Sequence, residues 1–241
     1  LLDADITVGN LECAITHAGH AVAKPYRFLG PESAFPLLKR YFTGVTIANN
    51  HSGDWGRAGF TDQLRLMKNA GLPWFGGGAN LAQAHQPLIV NRGGRKVALL
   101  GYNGYQPRSF EATRSCSVIA WLIERDVIDD IRRTRQQQQP DLVVLFLHWG
   151  TEFDERPSEA QRVMAQHFVD AGADVIVGAH PHVTQTIEWY RDKPIVYSLG
   201  NFMFDYFPGD PPLWTGWLAR LTYGNEPKPK LEVIPVQLDS A

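Results

Sequence analysis

The stretch "ADVIVGAHPHVTQ", residues 173–185, runs an apolar segment straight into two histidines with a single proline between them. The apolar part reads as a buried strand. Pro181 fixes its own φ and biases the residue before it away from helix, so both imidazoles leave a rigid, extended turn at the strand's C-terminal end. Open α/β sheets bind their ligands at that edge. A lone histidine near a strand end is usually structural, its ring nitrogen bonded to a backbone carbonyl. A pair two residues apart, in a chain with eight histidines, needs partners if it is to carry chemistry.

Such partners stand at the ends of the other apolar runs. After "ITV" come Asn10 and Glu12, after "VTIA" come Asn49, Asn50 and His51, and after "VVLFL" comes His148. In a parallel sheet these ends share one edge, so side chains distant in sequence converge in one cleft. Imidazole, amide and carboxylate donors together suit Zn, Mn or Fe rather than Ca or Mg, and the set contains no cysteine. The constellation is more specific than any one member.

The rest of the chain alternates strand and helix. "ADITVGNLE" reads as a strand, "PESAFPLLKRYF" as a helix entered at Pro31 and Ser33, and "GVTIANN" as a buried strand. "RAGFTDQLRLMKNAG" is helical in period and stops at Gly71, and "LPWFGGG" follows as strand and turn. "PLIVNRGGRKVALLGYN" predicts a hairpin around Gly93-Gly94. "WLIERDVIDDIRRTRQQQQ" then predicts an amphipathic helix with acids early and arginines late, its glutamines a solvated end. Strand "DLVVLFLHWG", helix "SEAQRVMAQHFVDAG" and strand "ADVIVGAHPH" make a second βαβ unit. "TIEWYRDKPIVYSLGNF" and "GWLARLTYG…KLEVIPVQL" predict hairpin strands, with "GNEPKPK" as the loop of the last pair.

Composition sets the bounds. The 241 residues, 44% hydrophobic and 20% charged, suit one sizeable α/β domain, residues 1–241, without repeat or linker. A net charge of −2 argues against a nucleic-acid groove or a polybasic membrane surface. Cys13 and Cys116 are too few for a disulfide framework or a thiolate zinc site. No apolar run approaches the roughly 20 residues that span a bilayer, and the first residues lack the pattern of a signal peptide. Those features leave the compartment open. The chain starts without methionine at the approach to a strand, so a preceding segment is expected.

"DITVGNLE", "ANNHSGDWGRAG", "LHWGTEF", "DAGADVIVGAHPHV" and "YSLGNF", taken in order, resemble the motifs of the bacterial capsule-synthesis protein family (CapA, or poly-γ-glutamate biosynthesis protein). That family is itself similar to the calcineurin-like metallophosphoesterases. The resemblance runs from about residue 3 to about residue 205. It implies a four-layer α/β/β/α sandwich with a dinuclear centre at the strand ends. By the same likeness Glu12 is the bridging carboxylate, Asn50 the amide ligand, and His148, His180 and His182 the later histidine ligands. His51 is then the general acid or electrostatic residue facing the leaving group. The superfamily's first motif, an Asp at the end of the first strand, should precede residue 3. On that arithmetic one site keeps Glu12, Asn50, His148 and His180, while its neighbour keeps Glu12 and His182 and should bind weakly.

Two divalent ions would orient a phosphoryl group and lower the pKa of a shared water. A protonated His51 needs a carboxylate to hold its ring, and Asp54 is the candidate, with a helix N-cap role as its alternative. Asn49 is expected in a turn and Asn201 in a loop, bonded to backbone. His17, His20, His85 and His167 are expected at the surface or in packing. Trp149 and Phe153 either wall the pocket or fill the core. Three functions stay open: a phosphoesterase, a metal enzyme acting on a peptide or poly-glutamate by amide hydrolysis or Cα epimerisation, and a non-catalytic component of a capsule-synthesis complex. An anionic small molecule or polymer is the expected substrate, for which Lys24, Arg27 and Arg57 are the candidate basic residues.

Overall fold

The computed structural model describes residues 1–105, 110, 116, 118–204, 214–224 and 228–238. Two sheets face each other. The smaller joins β1 (Val8–Asn10), β2 (Gly44–Thr46) and β3 (Trp74–Phe75), all parallel. Next along the chain come β4 (Gly77–Gly78), β5 (Leu88–Arg92), β6 (Arg95–Asn103) and β7 (Val118–Ile119). They are followed by β8 (Leu142–His148), β9 (Val175–Ala179), β10 (Ile187–Tyr190) and β11 (Lys193–Val196). The larger sheet has the order β10-β11-β9-β8-β6-β5, with β6, β8, β9 and β11 parallel and the two edge strands antiparallel. Two further pairs are β4 with β7, and β12 (Thr215–Thr222) with β13 (Lys230–Gln237). Residues 225–227 of the expected last hairpin loop lie outside the described residues.

Period-two alternation makes the larger sheet a middle layer. On one face Leu100 and Tyr102 of β6, Val143, Leu145 and Leu147 of β8 and Ile176 of β9 pack on Val127 and Ile131 of α4 (Glu124–Gln138) and Phe168 of α5 (Glu159–Ala171). The alternate residues, Val97, Leu99, Phe146, Val175 and Val177, turn the other way and meet Phe75 and Val8 of the smaller sheet. That sheet is covered in turn by Phe35 of α1 (Phe35–Tyr41) and Phe60, Leu64 and Met67 of α2 (Gly56–Ala70). The layers therefore run α, β, β, α, as expected. A short α3 (Leu81–Ala84) lies beside β4.

Local chemistry sets the helix ends. Ser158 and Gln161 form a capping box at the start of α5, and Gly172 closes it at φ 119°, a conformation costly for any residue with a Cβ. Gly71 ends α2 at φ 66° in the same way. Gly93 and Gly94, at φ 57° and 73°, turn the β5–β6 hairpin.

One expectation changes. The sequence pattern suggests a single parallel sheet carrying all the polar strand ends, but β1 and β2 belong to one sheet and β8 and β9 to the other. β2 and β9 are buried on both faces and β1 is partly buried throughout, so no one-sided pattern marks which sheet each joins.

Candidate metal centre

Asn49 builds the floor of the cleft. Its side-chain amide donates to Asn10 Oδ1 and to the Leu11 carbonyl, both at 2.9 Å, tying the end of β2 to the end of β1. Its Oδ1 accepts from the backbone N–H of His51 and of Ser52 at 3.0 Å. The turn expected of Asn49 is thus a fully buried hub that aims Asn50 and His51.

Across from it, His148 ends β8 with 1% of its surface exposed. His148 Nε2 lies 2.9 Å from Asn50 Oδ1 and 3.6 Å from Glu12 Oε1. Two donors each about 2.1 Å from one ion are separated by roughly 3.0–3.4 Å, and the two spacings bracket that range, so small side-chain shifts would let all three atoms reach a single ion. Asn10 Nδ2 donates to Glu12 Oε2 at 2.8 Å and steadies that carboxylate. The His148 and His180 ring centroids are 4.7 Å apart, and those of His180 and His182 are 6.1 Å apart. Ligand atoms of Glu12, His148 and His180 all lie within 4.8 Å of one another.

The decisive feature is what lacks a partner. Among the described residues, nothing hydrogen-bonds Glu12 Oε1 or either ring nitrogen of His180, all of them buried. Buried polar atoms left in that state cost about 1–3 kcal/mol each, so they point to a group that the chain binds. Neutral imidazole nitrogens and a carboxylate oxygen fit a divalent transition metal. Both histidines of the pair also hold left-handed backbone, His180 at φ 102° and His182 at φ 60°, a strain that concentrates at functional sites.

Electrostatics agree with that fit. Burial, then the negative charge of Glu152, push the Glu12 carboxyl up to about 8, with Lys24 pulling the other way. Burial holds His180 down to about 3, and burial followed by the neighbouring His180 and His182 keeps His148 well below the usual imidazole range. His182 is also lowered by burial, partly opposed by its bond to Asn201. All three histidines are thus neutral, the form that binds metal.

A model of the family described as "Bacterial capsule synthesis protein PGA_cap" matches residues 1–206. The chain belongs to this family. It is 37% identical over 166 residues to the "Capsule biosynthesis protein CapA" of Bacillus anthracis, covering 68% of this chain and 40% of that protein. It is 34% identical over 206 residues to the "PGA biosynthesis protein CapA" of Bacillus subtilis (strain 168), covering 84% of this chain and 54% of that protein. The chain therefore spans about half the length of the curated relatives it matches. A 5'-nucleotidase precursor from Thermus thermophilus superposes with a TM-score of 0.54 at 12% identity, over 86% of this chain and 41% of that one. The fold of this PGA_cap chain is that of the metallophosphoesterases.

The other expected residues fall as follows. His51 Nδ1 lies 2.8 Å from Asp54 Oδ2, and Lys24 Nζ lies 2.5 Å from Asp54 Oδ1. Asp54 does not cap α2, whose N-cap is Trp55; its carboxylate accepts instead from the Phe28 N–H at 2.7 Å. Asn201, expected to bond backbone, lies with its Oδ1 2.9 Å from His182 Nδ1. Arg27 bonds the Val22 carbonyl and Arg57 lies over the Phe110 ring, whereas Lys24 reaches the cleft. Trp149 is buried against Tyr197, while half-exposed Phe153 stands beside His182. His17 and His167 pair with Glu32 and Glu124, His85 pairs with Asp130, and His20 is exposed. Sequence reasoning missed Glu152: it grips no strand end, and only its place four residues after His148 marked it.

Proposed function

We propose that this cleft is the active site of a metal-dependent hydrolase, most simply a phosphoesterase, serving capsule or poly-γ-glutamate synthesis. The observation that carries the reading is the set of buried donor atoms without partners, Glu12 Oε1 and the two nitrogens of His180, beside His148 and Asn50. Glu12, Asn50 and His148, with His180 and His182 beside them, would hold up to two ions of Mn, Zn or Fe. Such ions supply Lewis acidity to a phosphoryl oxygen and a water of near-neutral pKa.

The chain's own groups do the rest. Asp54 holds His51 by Nδ1, which leaves Nε2 to give its proton to the departing oxygen. Lys24 neutralises the second Asp54 oxygen and donates to the Asn50 carbonyl at 3.0 Å, fixing the turn that carries both residues. The Phe28 ring, with its centroid 4.2 Å from that of His51, shields the imidazole from water.

His51→Ala should lower turnover of an aryl phosphate by about 10²–10⁴-fold while leaving metal content unchanged. Equal loss of metal and activity would overturn its role as an acid. The Bacillus subtilis relative, a PGA biosynthesis protein, favours a second reading, action on a poly-glutamate backbone. Metal-loaded protein that ignores aryl phosphates yet cleaves or epimerises poly-glutamate would establish that reading instead.

A further inference from the structure

Glu152 lies on the loop after β8, outside every group assigned above. We propose that Glu152, with His180 and His182, forms a second metal subsite, facing solvent beside the buried one of Glu12, Asn50 and His148. The proposal rests on the hydrolase reading and extends it to the ligand set of the outer ion.

The geometry is specific. Ligand atoms of Glu152, His180 and His182 all lie within 4.8 Å of one another. Glu152 is exposed, but its backbone is pinned: the Phe153 N–H donates to the Pro181 carbonyl at 2.8 Å, directly between the two histidines. Gln185 Nε2 donates to the Asp154 carbonyl at 2.7 Å on the other side, and the Trp149 N–H donates to the Ala179 carbonyl at 3.0 Å. Phe153 holds φ 68° and Gly150 φ 92°, so the loop folds back toward the histidine turn. His180 and His182 take strained backbone to present their rings to it.

The donor chemistry also divides evenly. Asn201 holds His182 through Nδ1, the kind of outer bond that orients a ligating imidazole. His180, 2% exposed, has two nitrogens with no hydrogen-bond partner among the described residues and stands between the two groups. With His180 turned outward, the buried subsite keeps a carboxylate, an amide and an imidazole. The outer one has two imidazoles and a carboxylate, a set that leaves positions open for water or substrate. A set of three with an exposed member should bind a Zn²⁺ or Mn²⁺ ion that exchanges readily.

The test titrates metal-free chain with Zn²⁺ by calorimetry and counts bound ions by elemental analysis. Two equivalents are expected for the unaltered chain. Glu152→Gln, an isosteric change at an exposed position, should keep one tight equivalent and weaken the other at least tenfold. Glu12→Gln should weaken the tight one instead. Two equivalents of unchanged affinity in Glu152→Gln would overturn the subsite, and so would a single equivalent in the unaltered chain, with the hydrolase reading left standing. No bound Zn²⁺ or Mn²⁺ in the unaltered chain would overturn both.

Discussion

Two buried polar clusters, one on each side of the larger sheet, solve the same problem in opposite ways. Under α4, Asp130 is 3% exposed and every contact is supplied by the chain: Tyr102 Oη donates to its Oδ2 at 2.8 Å, His85 Nδ1 lies 2.6 Å from the same oxygen, and Arg133 pairs with Oδ1. At the strand ends His180 is equally buried, and nothing among the described residues bonds either nitrogen. A buried charge with its partners belongs to the architecture. A buried donor set without them is held open, at a cost in stability, for a ligand. His85 looks as uninformative as His180 in isolation; the difference lies wholly in what surrounds each ring.

The largest expected effect tests the architectural cluster. Asp130→Ala takes the acceptor from the buried Tyr102 hydroxyl and from His85 and should destabilise the fold in urea unfolding by about 1–3 kcal/mol for each, with the metal affinity of the remaining folded protein unchanged. Loss of metal binding by folded protein would break the separation of the two clusters. His180→Ala should do the reverse, lowering affinity for the outer ion by more than about 100-fold, since even the outer partners of ligands account for 10–100-fold. Its metal-free form should lose far less stability than Asp130→Ala does.

A smaller effect follows from Glu12. Its carboxyl, raised to about 8, holds a proton at neutral pH that an incoming ion must displace. Apparent metal affinity should therefore fall about tenfold per pH unit below 8, with about one proton released per ion at pH 7. His180, held down to about 3, is already neutral there and does not compete. For the metal-free fold the sign is opposite: a raised carboxyl contributes stability below its unfolded value, and that contribution is lost as pH rises through about 8. Calorimetry in buffers of different ionisation enthalpy reads the proton directly, and a pH-independent affinity would contradict this assignment. The smallest effect should come from Ser158→Ala, which removes the cap of α5 at about 1 kcal/mol and leaves metal binding untouched.

Much of the molecule was written locally. Continuous apolar runs placed β6, β8 and β9, Gly71 and Gly172 marked helix ends, and the residues just beyond the runs marked Glu12, Asn50, His51, His148, His180 and His182. These follow from backbone sterics and a period of two or 3.6, which act between near neighbours in the chain and so can be read from it. Asp54 beside His51 was legible for the same reason, being three residues away.

Partnership across the fold was not legible. That β1 and β2 form a separate sheet depends on Phe75 and Val8 packing against Leu99 and Phe146, a choice that fully apolar runs leave open. That Asn201 orients His182, and that the Phe153 N–H on the Pro181 carbonyl carries Glu152 to the histidine pair, depends on single hydrogen bonds between segments that only the closed sandwich brings together. Residue types and spacing thus determined which side chains could bind a metal. Only tertiary packing decided which of them were left without partners, because burial and satisfaction are properties of surroundings that the chain itself must first assemble.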